Sequence, residues 1–217
     1  VGGKFDGKAY ETSGGLHGVG ASVVNALSEW MDVEVARDKH AWKLRFERGH
    51  VAGKLKDLGA VNRRGTITSF KPDEKIFGHV HFSPARLYRA AKSKAYLFRG
   101  VEIRWRCDPE LLKGIEDVPS EDTFRFAGGL KDYLGAAVHA DTLVHPDIFS
   151  GKSGRTGAHG ACEWAVAWTA DADGFLSSYC NTVPTQDGGT HESGMRSALL
   201  RGLKENAERA GQGKRAA

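Results

Sequence analysis

Apolar and polar positions along this chain change period several times, and each change marks an element. In residues 21–30 (ASVVNALSEW), Val23, Val24, Ala26, Leu27 and Trp30 recur at helical spacing, which predicts a helix. Residues 31–38 (MDVEVARD) and 41–49 (AWKLRFERG) alternate apolar with polar and predict two paired antiparallel strands. A third strand is predicted over 65–73 (GTITSFKPD), ended by Pro72, and a fourth over 101–108 (VEIRWRCD). Between them, Ser83 and Pro84 give a helix-start signal for 85–98, where Leu87, Ala90, Ala91 and Ala95 share a face.

A polar stretch, 109–123, separates this half from the next. There, 124–138 predicts a strand end followed by a helix from about Gly129, and the Gly-, His- and Ser-rich 139–160 reads as a loop. Residues 162–171 and 174–184 read as a hairpin around ADADG, and 190–211 as a long helix capped by Thr190, with a tail from Gly211 that should fray. Helices and mostly antiparallel strands in separate runs give an α+β class.

Composition narrows the picture only a little. The 217 residues are 40% hydrophobic and 27% charged, the range of an ordinary globular protein with one large domain or two modest ones. No apolar run approaches the roughly 20 residues that span a bilayer. Cys107, Cys162 and Cys180 are odd in number and nowhere spaced C-x-x-C, which argues against a disulfide framework or zinc site and fits a reducing cytoplasm. A net charge of +4 is compatible with an acidic partner such as DNA without requiring one. His79 with His81, and His159 with Cys162, offer two metal ligands each, too few for a site.

The candidate chemistry lies in 13–20, SGGLHGVG, where Gly14, Gly15, Gly18 and Gly20 run straight into the first helix. Glycine costs about 1 kcal/mol relative to alanine inside a helix, so such a cluster serves either a hinge or a close approach to bare backbone. The dinucleotide fingerprint G-x-G-x-x-G fits no register here. The Walker pattern finds its glycines at Gly15 and Gly20, then fails because Ala21 stands where the phosphate lysine belongs. What remains is a glycine-rich loop feeding a helix N-terminus, whose free N–H groups suit an anion.

VGGKF (1–5) followed by SGGLHGVGASVVNALS (13–28) resembles the ATP-lid region of the ATPase subunits of bacterial type IIA topoisomerases, the B subunit of gyrase and its topoisomerase IV counterpart. A second match, YCNTVPTQDGGTHESGMRSAL (179–199), resembles that family's transducer signature, and RRGTITSFKPD (63–73) resembles the strand at the back of its nucleotide pocket. Order and spacing agree over essentially the whole chain. The resemblance implies the C-terminal part of a GHKL-type (Bergerat) ATPase α/β sandwich over 1–126, including the lid, followed over 127–217 by the start of a transducer domain.

By the same resemblance, the backbone amides of Leu16, His17, Gly18, Val19 and Gly20 wrap the triphosphate of ATP, with Gly15 and Ala21 flanking. Lys4 matches the lid lysine that pairs with a phosphate, and Thr66 the threonine at the adenine end of the pocket. Asn181, Pro184, Gly188, Gly189, Thr190 and His191 hold the transducer signature in a structural role, while Arg201, Lys204 and Arg209 line a helix that either faces DNA or is simply solvated. The family's general base, its Mg2+ ligand and its adenine-reading aspartate precede the lid. They are therefore expected upstream of Val1, and the phosphate-contacting transducer lysine beyond Ala217, so the chain reads as a fragment without ATP hydrolysis of its own.

The implied activity is an ATP-driven dimer clamp that passes one DNA duplex through a transient double-strand break. The partners it implies are double-stranded DNA and a separate DNA-cleavage subunit (the topoisomerase IV A subunit), in a heterotetramer of two copies of each, with no membrane. SPARLYRAAKSKAYLFRGVEI (83–103) and SSYCNTVPT (177–185) resemble the topoisomerase IV version more than the gyrase version. Two rival readings are another ATPase of the same fold, as in mismatch repair or chaperones, and a non-enzymatic DNA-binding module whose glycine loop is a hinge. Neither accounts for all three matches.

Overall fold

A computed structural model describes residues 18–139, 142–154, 160–170 and 174–212. It divides into two compact units, one reaching to Ser83 and one starting at Pro84.

In the first unit, helix α1 (Gly20–Ala26) leads into strand β1 (Ser28–Arg37), which pairs antiparallel with β2 (His40–Glu47) and, on its other side, with β5 (Gly65–Pro72). Short strands β3 (His50–Val51) and β4 (Lys56–Ala60) both pair with β2. The β1–β2 turn places Asp38 and Lys39 at φ 53° and 61°, the two-residue turn whose twist matches the flanking strands. Alternation then sorts the sheet into two faces. Met31, Val33 and Val35 lie in register with Phe46, Leu44 and Trp42 of β2 and with Phe70, Thr68 and Thr66 of β5, forming an apolar face. The opposite face carries charge: Asp32 accepts from Lys43 (3.0 Å) and Arg45 (3.2 Å), and the Arg45 guanidinium lies 5.0 Å from the Trp30 ring centroid. Glu34 pairs with Arg63.

The first helix is shorter than its apolar spacing predicts, ending at Ala26 and not at Trp30. Ser28 bends its hydroxyl back to the Val24 carbonyl (2.6 Å), and the Leu27 carbonyl accepts from the Asp73 amide (3.0 Å). Those bonds turn the chain into the β1 ladder, where Ser28 and Trp30 find strand partners. Strand β4 was not legible because Lys-Asp-Leu-Gly-Ala has weak strand propensity; pairing with β2 makes it. A single turn, α2 (Glu74–Phe77), is capped by the Asp73 carboxylate accepting from the Lys75 amide at 3.0 Å.

In the second unit, helix α3 (Pro84–Leu97) packs against the antiparallel pair β6 (Glu102–Arg106) and β7 (Glu121–Arg125). Tyr88 of α3 sets its ring edge-on to Trp105 and Phe124 and donates its hydroxyl to Asp122 at 2.5 Å, a bond that pushes the phenol pKa up to about 12. β7 begins inside the stretch that composition marks as a polar separator and finishes in the strand end predicted from 124; only Phe124 of its five residues is buried, opposite Ile103. Helix α4 (Leu130–Ala137) follows Gly129 as predicted.

The 139–160 segment contains a strand, β8 (Phe149–Ser153), which pairs with β9 (Cys162–Val166). Among the described residues the predicted hairpin between 162–171 and 174–184 is not formed: β9 takes β8 as its partner, and 179–184 folds on itself as β10 (Tyr179–Cys180) and β11 (Val183–Pro184). Asn181 and Thr182 make that turn, both left-handed at φ 47° and 68°. Helix α5 (Thr190–Arg209) has Gly189 and not Thr190 at its N-cap, with no side-chain cap; Thr190 is its first helical residue. The end of the predicted fraying tail, residues 213–217, lies outside the described residues.

Candidate functional site

Of the residues implicated in phosphate binding, Lys4, Gly15, Leu16 and His17 lie outside the described residues. Gly18, Val19, Gly20 and Ala21 are described, and all four are exposed. Gly18 is left-handed (φ 66°), a backbone that glycine adopts without strain. Val19 is the N-cap, with no side-chain cap, and its carbonyl accepts the first helical bond from Val23 at 2.9 Å. The amides of Gly20, Ala21 and Ser22 precede that bond, so no partner within α1 uses them. A Cβ added at Gly20 would meet no heavy atom within 4 Å. The glycine there fills no crowded niche; it leaves the main chain bare on its open side.

The other end of α1 is tied down. Asn25 donates to the Gly49 carbonyl (3.4 Å), while Arg48 donates from its amide to the Glu29 carbonyl (3.3 Å) and from Nε to the Asp73 carboxylate (2.7 Å). Asp73 is nearly inaccessible, its side chain only 4% exposed. The Arg48 guanidinium and the Lys75 amide together hold its carboxyl below the usual range, and Asp73 in turn raises Arg48. Asp73, which follows Pro72 and precedes a Glu-Lys turn, carries a sequence signal as a cap; Asn25, Gly49 and Arg48 carry none.

Thr66 stands on β5 opposite Val35, on the apolar face with Trp42 and Val33, and is exposed. That is a half-apolar wall with the hydroxyls of Thr66 and Thr68, suited to the flat face of a heteroaromatic ring.

In the second unit the signature residues do come together. Ser178 and Thr185, at the open end of the β10–β11 hairpin, set their hydroxyls 2.7 Å apart. Thr185 Oγ1 lies 3.2 Å from His191 Nε2, and Ser178 donates to Glu192 (3.3 Å). A Cβ at Gly189 would fall 2.8 Å from His191 Cε1, so glycine there permits the ring to fold back over the helix start. Ser178, Thr185 and Glu192 were missed by sequence reasoning, although Thr185 and Glu192 lie inside the matched stretch. Along α5, Arg201 faces Glu205 at 3.9 Å, and Lys204 and Arg209 are exposed. Among the described residues no group of three or more His, Cys, Asp or Glu is placed to hold a metal, and no helix is long and apolar enough to cross a membrane.

A family model described as DNA gyrase B matches residues 129–217. The DNA topoisomerase 4 B subunit of Bartonella bacilliformis is 56% identical over 209 residues, covering 95% of this chain and 30% of that protein. The Caulobacter vibrioides protein of the same name is 54% identical over 217 residues, 98% of this chain and 31% of its own length. Over nearly its whole length the chain is similar to these topoisomerase B subunits. It spans about a third of the length of these relatives.

Among solved structures, the 43K ATPase domain of Thermus thermophilus gyrase B, in complex with an aminocoumarin, matches with a TM-score of 0.72 and 34% identity over 90% of this chain and 51% of that one. The fold is accordingly part of the GHKL-type α/β sandwich followed by the start of a transducer.

Proposed function

We propose that this chain is the lid-to-transducer portion of the ATPase subunit of a bacterial topoisomerase IV. The observation that carries the reading is 56% and 54% identity to two proteins named as topoisomerase 4 B subunits along nearly all of this chain. The division into an ATPase part, 1–126, and a transducer part, 127–217, is supported by the family match beginning at residue 129. In this reading Gly18–Ala21 form the C-terminal edge of the lid loop, and the β10–β11 hairpin with the first turn of α5 forms the transducer signature.

ATP is the group the site would take, supplying a phosphoanhydride whose cleavage drives a clamp. This chain's part is to hold it. The exposed amides of Gly18, Val19 and Gly20, with those of Leu16 and His17, donate to phosphate oxygens, and Gly15 and Ala21 flank them. Lys4 adds a charge-assisted bond to a phosphate. Thr66 offers its hydroxyl at the base end, on the apolar face beside Val35. No Mg2+ ligand is assigned to this chain. The clamp dimerises on ATP, takes double-stranded DNA, and works with the topoisomerase IV A subunit, two copies of each forming a heterotetramer in the bacterial cytoplasm.

The test uses the complete subunit with its cleavage partner on relaxed circles and on linked DNA rings, with and without ATP. ATP-dependent unlinking without negative supercoiling is the expected outcome. Negative supercoiling would assign the chain to gyrase.

A further inference from the structure

Lys94 lies near the C-terminal end of helix α3, half-buried, and donates from Nζ to the Thr182 carbonyl (2.6 Å) and to the Thr182 hydroxyl (3.2 Å). Among the described residues no carboxylate pairs with it, so the contact fixes geometry and does not neutralise a charge. The partner is a poor one to hold by default. Thr182 is β-branched, left-handed at φ 68° and only 8% exposed, a conformation that persists where the surroundings over-determine it. Two positions on, Tyr96 (3% exposed) stacks on Tyr133 at 3.8 Å between centroids and places its hydroxyl 2.5 Å from that of Tyr179, at the start of the same hairpin. From the open end of the hairpin, Thr185 and Ser178 reach His191 and Glu192 of α5. Hydrogen bonds at both ends of the hairpin, linked through its own paired strands, therefore join α3 to the first turn of α5 by way of a left-handed turn.

We propose that Lys94 is a positioning residue: it pins the Asn181–Thr182 turn, and through the hairpin couples α3 to the transducer helix α5. The proposal rests on the topoisomerase reading above, in which α3 belongs to the ATPase part and the hairpin to the transducer part. A contiguous network with one strained, discretely held turn has the physical form that coupling between sites requires, and the coupling itself must be measured.

The experiment replaces Lys94 by Met, which keeps the stem and removes the donor, and by Arg, which keeps a donor, in the complete protein paired with its cleavage subunit. ATP turnover and DNA unlinking are measured on the same preparations. In Lys94→Met, unlinking per ATP hydrolysed falls about tenfold, the scale of a typical coupling energy, while turnover stays within about threefold. Lys94→Arg restores it. Amide hydrogen exchange over 181–185 accelerates in the Met variant and returns in the Arg variant. Parallel loss of turnover and unlinking, retention of both, or hairpin exchange indifferent to Lys94 would overturn the proposal. Absence of ATP-dependent unlinking by the unaltered protein would instead overturn the functional reading, and hairpin exchange would still decide whether Lys94 pins the turn.

Discussion

The lid edge and the signature hairpin use the same vocabulary of glycine and left-handed turns to opposite ends. At Gly18–Ala21 the residues are exposed, and a Cβ added at Gly20 meets no heavy atom of the described residues within 4 Å. At 178–192 the polar groups are already engaged: Thr182 is buried and its carbonyl and hydroxyl accept from Lys94, Ser178 and Thr185 are bonded to each other and to α5, and Gly189 is crowded by His191. Donors that no partner in their own helix uses suit a ligand; donors already consumed by neighbours transmit position. The contrast separates a binding element from a structural one without reference to either name.

Breaking the open side has the largest effect. Gly20→Val places a branched side chain where the phosphate approach is proposed, and affinity for a nonhydrolysable ATP analogue falls roughly a hundredfold, about 2.7 kcal/mol. Thermal stability does not fall, because nothing lies within 4 Å of the new Cβ. Titration calorimetry alongside a melting curve checks both halves, and a loss of stability matching the loss of affinity would erase the distinction. On the enclosed side the pattern inverts. Gly189→Ala puts a Cβ 2.8 Å from the His191 ring and costs about 1–3 kcal/mol in stability, read as a lowered melting temperature, with analogue affinity within about twofold.

A smaller effect sharpens the account of how α1 is held. Asp73 titrates below its ordinary value because Arg48 and the Lys75 amide favour the carboxylate. Its contribution is complete above the ordinary carboxyl value near 3.8 and is lost as pH falls through the depressed one. Asp73→Asn accordingly melts below the unaltered protein at pH 7, and the gap closes on acidification below about pH 4, the region of that ordinary value. A gap independent of pH would assign the effect to packing.

Much of the fold was legible where pattern and environment agree. The alternation of 31–49 gave the β1–β2 pair because one sheet face is apolar and the other charged, and 85–98 gave α3 because its start signal and stripe coincide. The failures share a cause. Strands β4 and β8, and the first half of β7, have mostly polar or small residues and exist through their partners, which a local pattern does not name. The hairpin error at 162–184 came from pairing neighbours in sequence when β9 instead pairs backwards with β8. At the candidate site, a motif nominates the glycine run and Thr66, whereas Lys94, Ser178, Thr185, Arg48 and Glu192 gain meaning only from contacts distant in sequence or from a turn no pattern announces.

The most direct test of the contrast is amide hydrogen exchange in the complete subunit with and without the nonhydrolysable analogue. The account predicts strong protection across 16–21, where backbone amides acquire phosphate partners, and slow exchange at 182–185 already in the free protein. An analogue that binds while leaving 16–21 unprotected would contradict it.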